Sequence, residues 1–278
     1  MKISVISDIM INYKIDRDNA LPIDCLQKEY GGTLFNISIA CKEFFDEVIA
    51  IGIVGEDDYE AVYKKFIDNK VVPCLFTDKS DDTGACIMLY KNDVRENIFS
   101  FRKINLQLDY DKIDIKKVLD SSFVFFTGWS FLPSSLTSNS CIRLMKIAKV
   151  NGIPIIFDIL PHRLRPSEIT EEYRNALLMA DILIAESDTY ERIFNNYNSV
   201  HITNNAKLYL LFDWVKSFKV IDNCHNLLYS GLTNYSHKSE PYHLDRVAIE
   251  NIIRFYNKSY LQNPTLVTIR QQISLVNS

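Results

Sequence analysis

The stretch Gly31-Gly32-Thr33-Leu34-Phe35-Asn36-Ile37-Ser38 joins two adjacent glycines to the start of an apolar helical pattern. Adjacent glycines permit positive φ angles and a close approach of the backbone to a ligand. The N-terminus of a helix offers N–H groups that have no partner inside the helix, and the Asn36 amide can donate to and accept from hydroxyl groups. The stretch therefore predicts either a binding turn for a small polar molecule or a turn that only needs flexibility.

A second segment favours the binding interpretation. Val54-Gly55-Glu56-Asp57 ends a predicted strand about twenty residues after the glycine pair. Around both segments, short apolar runs alternate with longer helical patterns, which is typical of a parallel sheet covered by helices on both faces. The predicted strands are 3–6, 48–53, 72–76, 123–126, 154–157, 182–184, 200–203 and 218–221, and the predicted helices are 34–45, 59–69, 135–150, 169–179 and 244–256.

Two β elements interrupt this alternation. Residues 86–90 and 97–101 flank the turn-rich Lys91-Asn92-Asp93 and read as a hairpin, and a further extended segment is predicted near 21–26. The simplest organisation is one α/β domain over 1–278, with lid elements at about 12–30 and 84–103 inserted in it.

The composition excludes several classes of protein. The chain has 278 residues, 24% of them charged, and a net charge of −4, which gives no basic surface for nucleic acid or an anionic membrane. Its six cysteines include no C-x-x-C pair, so we expect reduced thiols and neither a disulfide framework nor a zinc site. With no apolar run long enough for a membrane span, a cytoplasmic location is expected.

Three segments in order carry a family resemblance. Ser7-Asp8-Ile9-Met10-Ile11-Asn12, the stretch from Gly31 to Ser38, and Val54-Gly55-Glu56-Asp57 resemble the first signature of the ribokinase-like (PfkB-type) carbohydrate kinases. The resemblance implies the three-layer ribokinase-like fold with a small β lid, through which many relatives form homodimers. It also implies a sugar or nucleoside substrate, ATP and Mg²⁺. The substrate-binding residues that it implies are Asn12, Gly31, Gly32 and Asn36.

The resemblance extends to the nucleotide side of the family site. Ala180-Asp181-Ile182-Leu183 is similar to the family strand that precedes an N-x-x-E motif, and this places Glu186 at the start of that motif. Thr203 corresponds to the threonine of a V-T-x-G strand. With His225 and Asn226, these residues form the cofactor-binding set that the resemblance implies.

The family's catalytic motif, D-T-x-G-A-G-D, has no clear counterpart. Alignment of strand 219–221 with the strand before that motif places Asp222 on its first acid and Leu228 on its catalytic base. Leucine cannot accept a proton, and a positioned base contributes roughly 10²–10⁴-fold to a rate. The alignment therefore predicts weak or absent phosphoryl transfer with no identified catalytic residue. Asp222 and Asp245 are the nearby acids that could substitute.

Two alternatives to an active kinase follow from this alignment. One is a pseudokinase that binds a carbohydrate-like ligand or regulates a partner, and the other is an assembly subunit that uses the lid as its contact surface. A zinc enzyme is disfavoured because His237 and His243 flank Pro241 without helical spacing. A serine hydrolase is disfavoured because no G-x-S-x-G elbow is present.

Overall fold

The computed structural model describes residues 1–16, 26, 28–92, 94–161, 164–194, 204–213, 216–233 and 243–261. A nine-stranded sheet forms the centre of the protein. Its strands, in spatial order, are β13 (Leu227–Leu232), β12 (Ser217–Asp222), β11 (Leu208–Asp213), β10 (Ile182–Glu186), β9 (Ile155–Asp158), β8 (Phe123–Thr127), β1 (Lys2–Ile6), β4 (Glu47–Gly55) and β5 (Val72–Asp78). All neighbours from β11 to β5 pair in parallel, whereas β12 and β13 pair antiparallel.

Seven helices lie within the described ranges. They are α1 (Gly32–Cys41), α2 (Tyr59–Asp68), α3 (Ile115–Leu119), α4 (Leu136–Val150), α5 (Glu171–Met179), α6 (Ser187–Phe194) and α7 (His243–Leu261). None of these helices is long and apolar enough to cross a membrane.

The side chains of β8 show why the sheet is covered on both faces. Phe123 and Phe125 belong to one buried cluster together with residues of α1, α2 and α7, whereas Val124 and Phe126 belong to a second cluster with residues of α3 to α6. Successive side chains of a strand point to opposite faces, so an entirely apolar strand needs a helical layer on each side. The predicted α/β fold with helices on both faces is confirmed.

A separate four-stranded sheet accompanies the central one. Its order is β3 (Lys28–Gly31), β2 (Met10–Asp16), β6 (Gly84–Lys91) and β7 (Val94–Phe101), and we call it the small sheet. β6 and β7 form the hairpin predicted from the turn-rich residues 91–93. The predicted extended segment at 21–26 falls almost entirely outside the described residues, as does the predicted strand at 200–203.

Candidate functional site

The carboxyl ends of the parallel strands define one edge of the central sheet. β1, β4 and β5 extend the sheet in one direction and β8 to β11 in the other, so the winding reverses between β1 and β8. Ligands of open α/β sheets bind in the crevice at such a reversal. At the carboxyl ends of β1 and β8, the hydroxyls of Ser7 and Thr127 lie 3.0 Å apart in a buried hydrogen bond. Functional side chains are therefore expected beyond this pair.

The two glycines of the opening stretch lie against the chain that leaves β1. Gly32 has a φ of +80°, and a Cβ atom built there would be 2.6 Å from the Asp8 carbonyl oxygen. A Cβ at Gly31 would be 2.1 Å from Asn12 Nδ2. The structure thus brings Asn12, Gly31 and Gly32 together: a side chain at Gly31 would displace the Asn12 amide, whereas one at Gly32 would meet backbone atoms. Asn36 lies one helical turn further along α1 and is half-buried.

A buried ion pair lies beside this group. Arg102 donates from Nε to Asp8 Oδ2 at 2.5 Å and from Nη2 to Asp8 Oδ1 at 2.9 Å, and both side chains are about one-tenth exposed. Arg102 also donates to the Leu132 carbonyl oxygen. Asn105, which is buried, accepts from the Ile9 N–H and donates to the Ile9 carbonyl oxygen. These contacts fix the position of the chain after β1. The sequence patterns did not identify Arg102 or Asn105, because neither residue belongs to a recognisable motif.

The Val54-Gly55-Glu56-Asp57 segment connects the central sheet to the small sheet. The Asp57 carboxylate accepts from the Thr83 N–H at 3.1 Å and from the Thr83 hydroxyl at 2.8 Å. The same hydroxyl accepts from the Gly55 N–H at 3.1 Å. Thr83 immediately precedes β6, so this cluster ties the end of β4 to the start of a small-sheet strand.

Three carboxylates gather near the ends of β9 and β10. Asp158 ends β9, Glu186 ends β10, and Asp245 lies in the first turn of α7. Burial raises the pKa of Asp158 well above its usual range, and the charges of Asp245 and Glu186 raise it further. Burial also raises the pKa of Asp245 to about 7. The three acids therefore lie close enough for burial and mutual repulsion to disfavour ionisation of Asp158.

The residues aligned with the family's catalytic motif lie elsewhere. Asp222 ends β12, Leu228 belongs to β13, and the two strands form an antiparallel hairpin. A strand that turns directly into its neighbour cannot supply a phosphate-binding loop at a helix N-terminus. The placement of the base on Leu228 is corrected accordingly: Leu228 is a strand residue on the edge of the sheet.

The turn of this hairpin satisfies its own polar groups. Asp222 accepts from the backbone N–H groups of Cys224 and Asn226 and from the Asn226 side chain, and these bonds lower the pKa of Asp222, with the Asn226 side chain as the largest cause. His225 has a φ of 61° and stacks on Tyr209, with the ring centroids 6.0 Å apart. Asp222, His225 and Asn226 thus have structural partners within the turn. Thr203, the remaining residue of the cofactor set apart from Glu186, lies outside the described residues.

Comparison with known proteins agrees with this architecture. The sequence profile of the pfkB family carbohydrate kinases matches residues 1–210. The chain is 26% identical over 149 residues to a 5-dehydro-2-deoxygluconokinase of Mesomycoplasma hyopneumoniae, covering 52% of this chain and 44% of that protein. It is 26% identical over 146 residues to the Clostridium perfringens protein of the same name, covering 48% of this chain and 40% of that protein. The match thus spans less than half the length of either relative.

Solved structures show the same fold at lower identity. A ribokinase from Giardia lamblia superposes with a TM-score of 0.68 and 15% identity over 86% of this chain and 77% of that one. A fructokinase with bound ATP from Xylella fastidiosa superposes with a TM-score of 0.66 and 15% identity over 83% of this chain and 76% of that one. The predicted ribokinase-like fold is confirmed.

Proposed function

Because the chain belongs to the pfkB family of carbohydrate kinases, we propose that it transfers a phosphoryl group from ATP to a hydroxyl group of a sugar, a sugar-derived acid or a nucleoside. The observation that carries the proposal is Asp245. This acid lies at the start of a helix, near the carboxyl ends of β9 and β10, and has a pKa of about 7. Neither Leu228 nor Asp222 has these properties.

Asp245 is suited to act as the general base. A base works best when its pKa is near the operating pH, because it is then largely deprotonated and still a good proton acceptor. Partial burial gives Asp245 this value, and the positive end of the α7 dipole supports its ionised form. In the proposed reaction, the substrate hydroxyl oxygen attacks phosphorus. An Asp245 carboxylate oxygen accepts the proton that this hydroxyl loses. The expectation of weak or absent transfer rested on the alignment of residues 222–228, and the hairpin removes that reason.

The substrate is proposed to lie over the glycine pair. The Asn12 amide and the Asn36 amide offer both donors and acceptors to hydroxyl groups. The absence of side chains at Gly31 and Gly32 lets the substrate approach the backbone. Arg102 is neutralised by Asp8, so this pair orients the site and leaves recognition to the amides.

The residues near β10 fit a magnesium–nucleotide group. Mg²⁺ is usually held by one or two carboxylates together with phosphate oxygens, and no three acidic, histidine or cysteine side chains of the described ranges form a complete metal site. Glu186 and Asp158 supply side-chain carboxyl groups at the ends of β10 and β9. The adjacent Ser187 hydroxyl is buried without a hydrogen-bond partner in the described structure. We therefore assign Glu186, Asp158 and Ser187 to this group, which supplies the phosphoryl donor when bound.

The relatives suggest the first substrate to test. Both curated matches are named for a kinase of 5-dehydro-2-deoxygluconate, so this acid leads a panel that also includes fructose, ribose and adenosine. ADP release in a coupled assay is the measurement. We expect one member of the panel to support turnover that requires both Mg²⁺ and ATP.

Substitution of the base decides between this proposal and a binding-only protein. Asp245→Asn should lower kcat by at least about 10²-fold, with thermal unfolding used to confirm that the variant folds. The matched control is Asp222→Asn, which should retain kcat because Asp222 serves the hairpin turn. Equal turnover by Asp245→Asn and the unsubstituted protein would overturn the assignment of the base. No turnover with any acceptor, together with substrate-dependent stabilisation, would favour the pseudokinase.

We also propose that two copies of the chain associate through the small sheet. Ile98, Phe99 and Phe101 on its edge strand β7 are each about half exposed, at 46%, 46% and 50%. An apolar edge strand is a pairing surface. Light scattering after size exclusion should give a dimer mass that Phe99→Glu converts to a monomer mass; a monomer without the substitution would refute the proposal.

A further inference from the structure

A cysteine and a lysine contact each other away from the acidic residues of the proposed active site. The Lys117 Nζ atom lies 3.0 Å from the Cys74 Sγ atom, and both side chains are half-buried. Cys74 is the third residue of the edge strand β5, and Lys117 lies on α3. The pair therefore belongs to the amino-terminal half of its strand, whereas the proposed active site lies at the carboxyl ends.

Two clefts adjoin the pair, and both Cys74 and Lys117 line the first of them. One cleft has a volume of about 210 Å³ and is lined by Cys74 and Lys117 together with Tyr59, Tyr63, Lys112 and Asp114, among others. The second has a volume of about 260 Å³ and is lined by Lys117 together with Glu47, Lys116 and Asp120, among others. A small solute such as a hydroperoxide has room to reach the sulfur from the first cleft.

The charges around the pair keep the lysine protonated. The contact with Cys74 is the largest cause of a raised pKa for Lys117, and the charges of Asp114 and Glu47 raise it further. Lys112 and Lys116 line the clefts as additional positive groups. A cation in contact with a thiol favours the thiolate, which is the reactive form of cysteine.

The other described cysteines have different surroundings. Cys41, Cys86 and Cys141 are buried, and burial raises the pKa of Cys41 and Cys141. Cys224 is exposed; its sulfur lies 3.8 Å from the Asn223 side-chain oxygen, and no cation of the described residues is hydrogen-bonded to it. Exposure alone would make Cys224 the most reactive thiol, whereas contact with a cation selects Cys74.

We propose that Cys74 and Lys117 form an oxidation site at which a hydroperoxide converts the thiolate to a sulfenic acid. The thiolate sulfur attacks one peroxide oxygen, so an S–O bond forms and the O–O bond breaks. Sulfur loses two electrons and the peroxide gains them. The departing hydroxide takes a proton from the Lys117 ammonium and leaves as water, and the sulfenate oxygen keeps the other peroxide hydrogen. One peroxide, one thiolate and one ammonium thus give one sulfenic acid, one water and one neutral amine.

Labelling of the full chain tests the site directly. The protein is treated with hydrogen peroxide at neutral pH in the presence of a dimedone probe, and each cysteine is quantified by peptide mass spectrometry. Cys74 should be labelled before Cys224, even though Cys224 is more exposed. Labelling of Cys224 first, or labelling in proportion to exposure alone, would overturn the proposal without any variant.

Lysine variants test the role of the ammonium. Because a neighbouring cation favours the thiolate, Lys117→Gln should slow Cys74 labelling by about tenfold. Lys117→Arg, which keeps the charge, should retain most of the rate. Lys116→Gln is the matched control from the same helix and should leave the rate within about twofold. Equal rates in Lys117→Gln and the unsubstituted protein would show that the contact does not activate the sulfur.

Discussion

The carboxylate of Asp8 accepts two hydrogen bonds from the guanidinium of Arg102, at 2.5 and 2.9 Å. Residues 94 positions apart are thereby joined in a nearly buried ion pair at the end of β1. The pair holds the chain that leads from the central sheet to Asn12, and the geometry of the proposed substrate site depends on it.

Arg102→Met should strongly destabilise the protein. Removing one partner of a buried pair leaves an uncompensated charge on Asp8, which typically costs about 3–5 kcal/mol. Urea unfolding measures the change. The control is Lys14→Met, which removes the exposed 2.8 Å pair with Glu29 and should cost less than about 1 kcal/mol. Similar losses in the two variants would show that the Arg102 pair is effectively solvated.

Gly32→Ala should damage both stability and substrate binding. The new Cβ would lie 2.6 Å from the Asp8 carbonyl oxygen and 2.7 Å from the Met10 nitrogen, and backbone atoms cannot move aside cheaply. We expect urea unfolding to show a loss above about 2 kcal/mol in the free energy of unfolding, since a positive φ alone costs a residue with a side chain about 1–2 kcal/mol. Gly152→Ala separates the two effects, because Gly152 also has a positive φ of +66° but has nothing within 4 Å of the added carbon. A loss no greater than that of Gly152→Ala would remove the steric argument.

Asp245 should make stability fall as the pH rises. Its pKa is about 7 in the folded protein and about 3.9 when unfolded. Between these values the folded state binds more protons than the unfolded state, so stability decreases from about pH 4 to about pH 7 and is then constant with respect to this group. Asp245→Asn, which resembles the protonated acid, should therefore be more stable than the unsubstituted protein at pH 8, on the order of 2 kcal/mol after allowance for partial exposure.

Asp222 provides a control of opposite sign for this pH dependence. Its lowered pKa contributes stability that is present above the unfolded value and is lost as the pH falls through the folded value. Asp222→Asn should therefore be less stable than the unsubstituted protein at pH 8, with the difference shrinking in acid. Urea midpoints from about pH 2 to about pH 8 measure both variants, because the contribution of Asp222 is lost only below its unfolded pKa of about 3.9. A gain from Asp245→Asn that does not change with pH would contradict the raised pKa.

Asp57→Ala should loosen the small sheet where it joins β4. The variant loses both hydrogen bonds from Thr83, at a cost of about 1–2 kcal/mol for two bonds near the surface. Hydrogen exchange of β6 should accelerate more than exchange of β8. Glu56→Ala is the neighbouring control, because the 3.7 Å pair of Glu56 with Lys79 lies at the surface. Unchanged exchange of β6 would show that other contacts hold this junction.

The sequence by itself determined the features that depend on local physics. Apolar runs and helical patterns predicted the α/β fold, and the predicted strands at 48–53 and 72–76 correspond to β4 and β5. The glycine pair was recognisable from sequence because α1 begins against another segment of the same chain. Such a close approach requires residues without side chains, and here two of them are consecutive.

Only the tertiary structure decided which acidic residues lie close together. It alone also showed that residues 222–228 form a hairpin turn and strand and not a phosphate-binding loop. Leu227 to Leu232 form a strand through pairing with β12, which local sequence alone does not show. Asp158, Glu186 and Asp245 come together because parallel strands bring the ends of distant segments to one edge and α7 begins there. The ion pair between Arg102 and Asp8 likewise joins two segments that are distant in the sequence. Such contacts depend on the packing of elements far apart in the chain, so no local pattern records them.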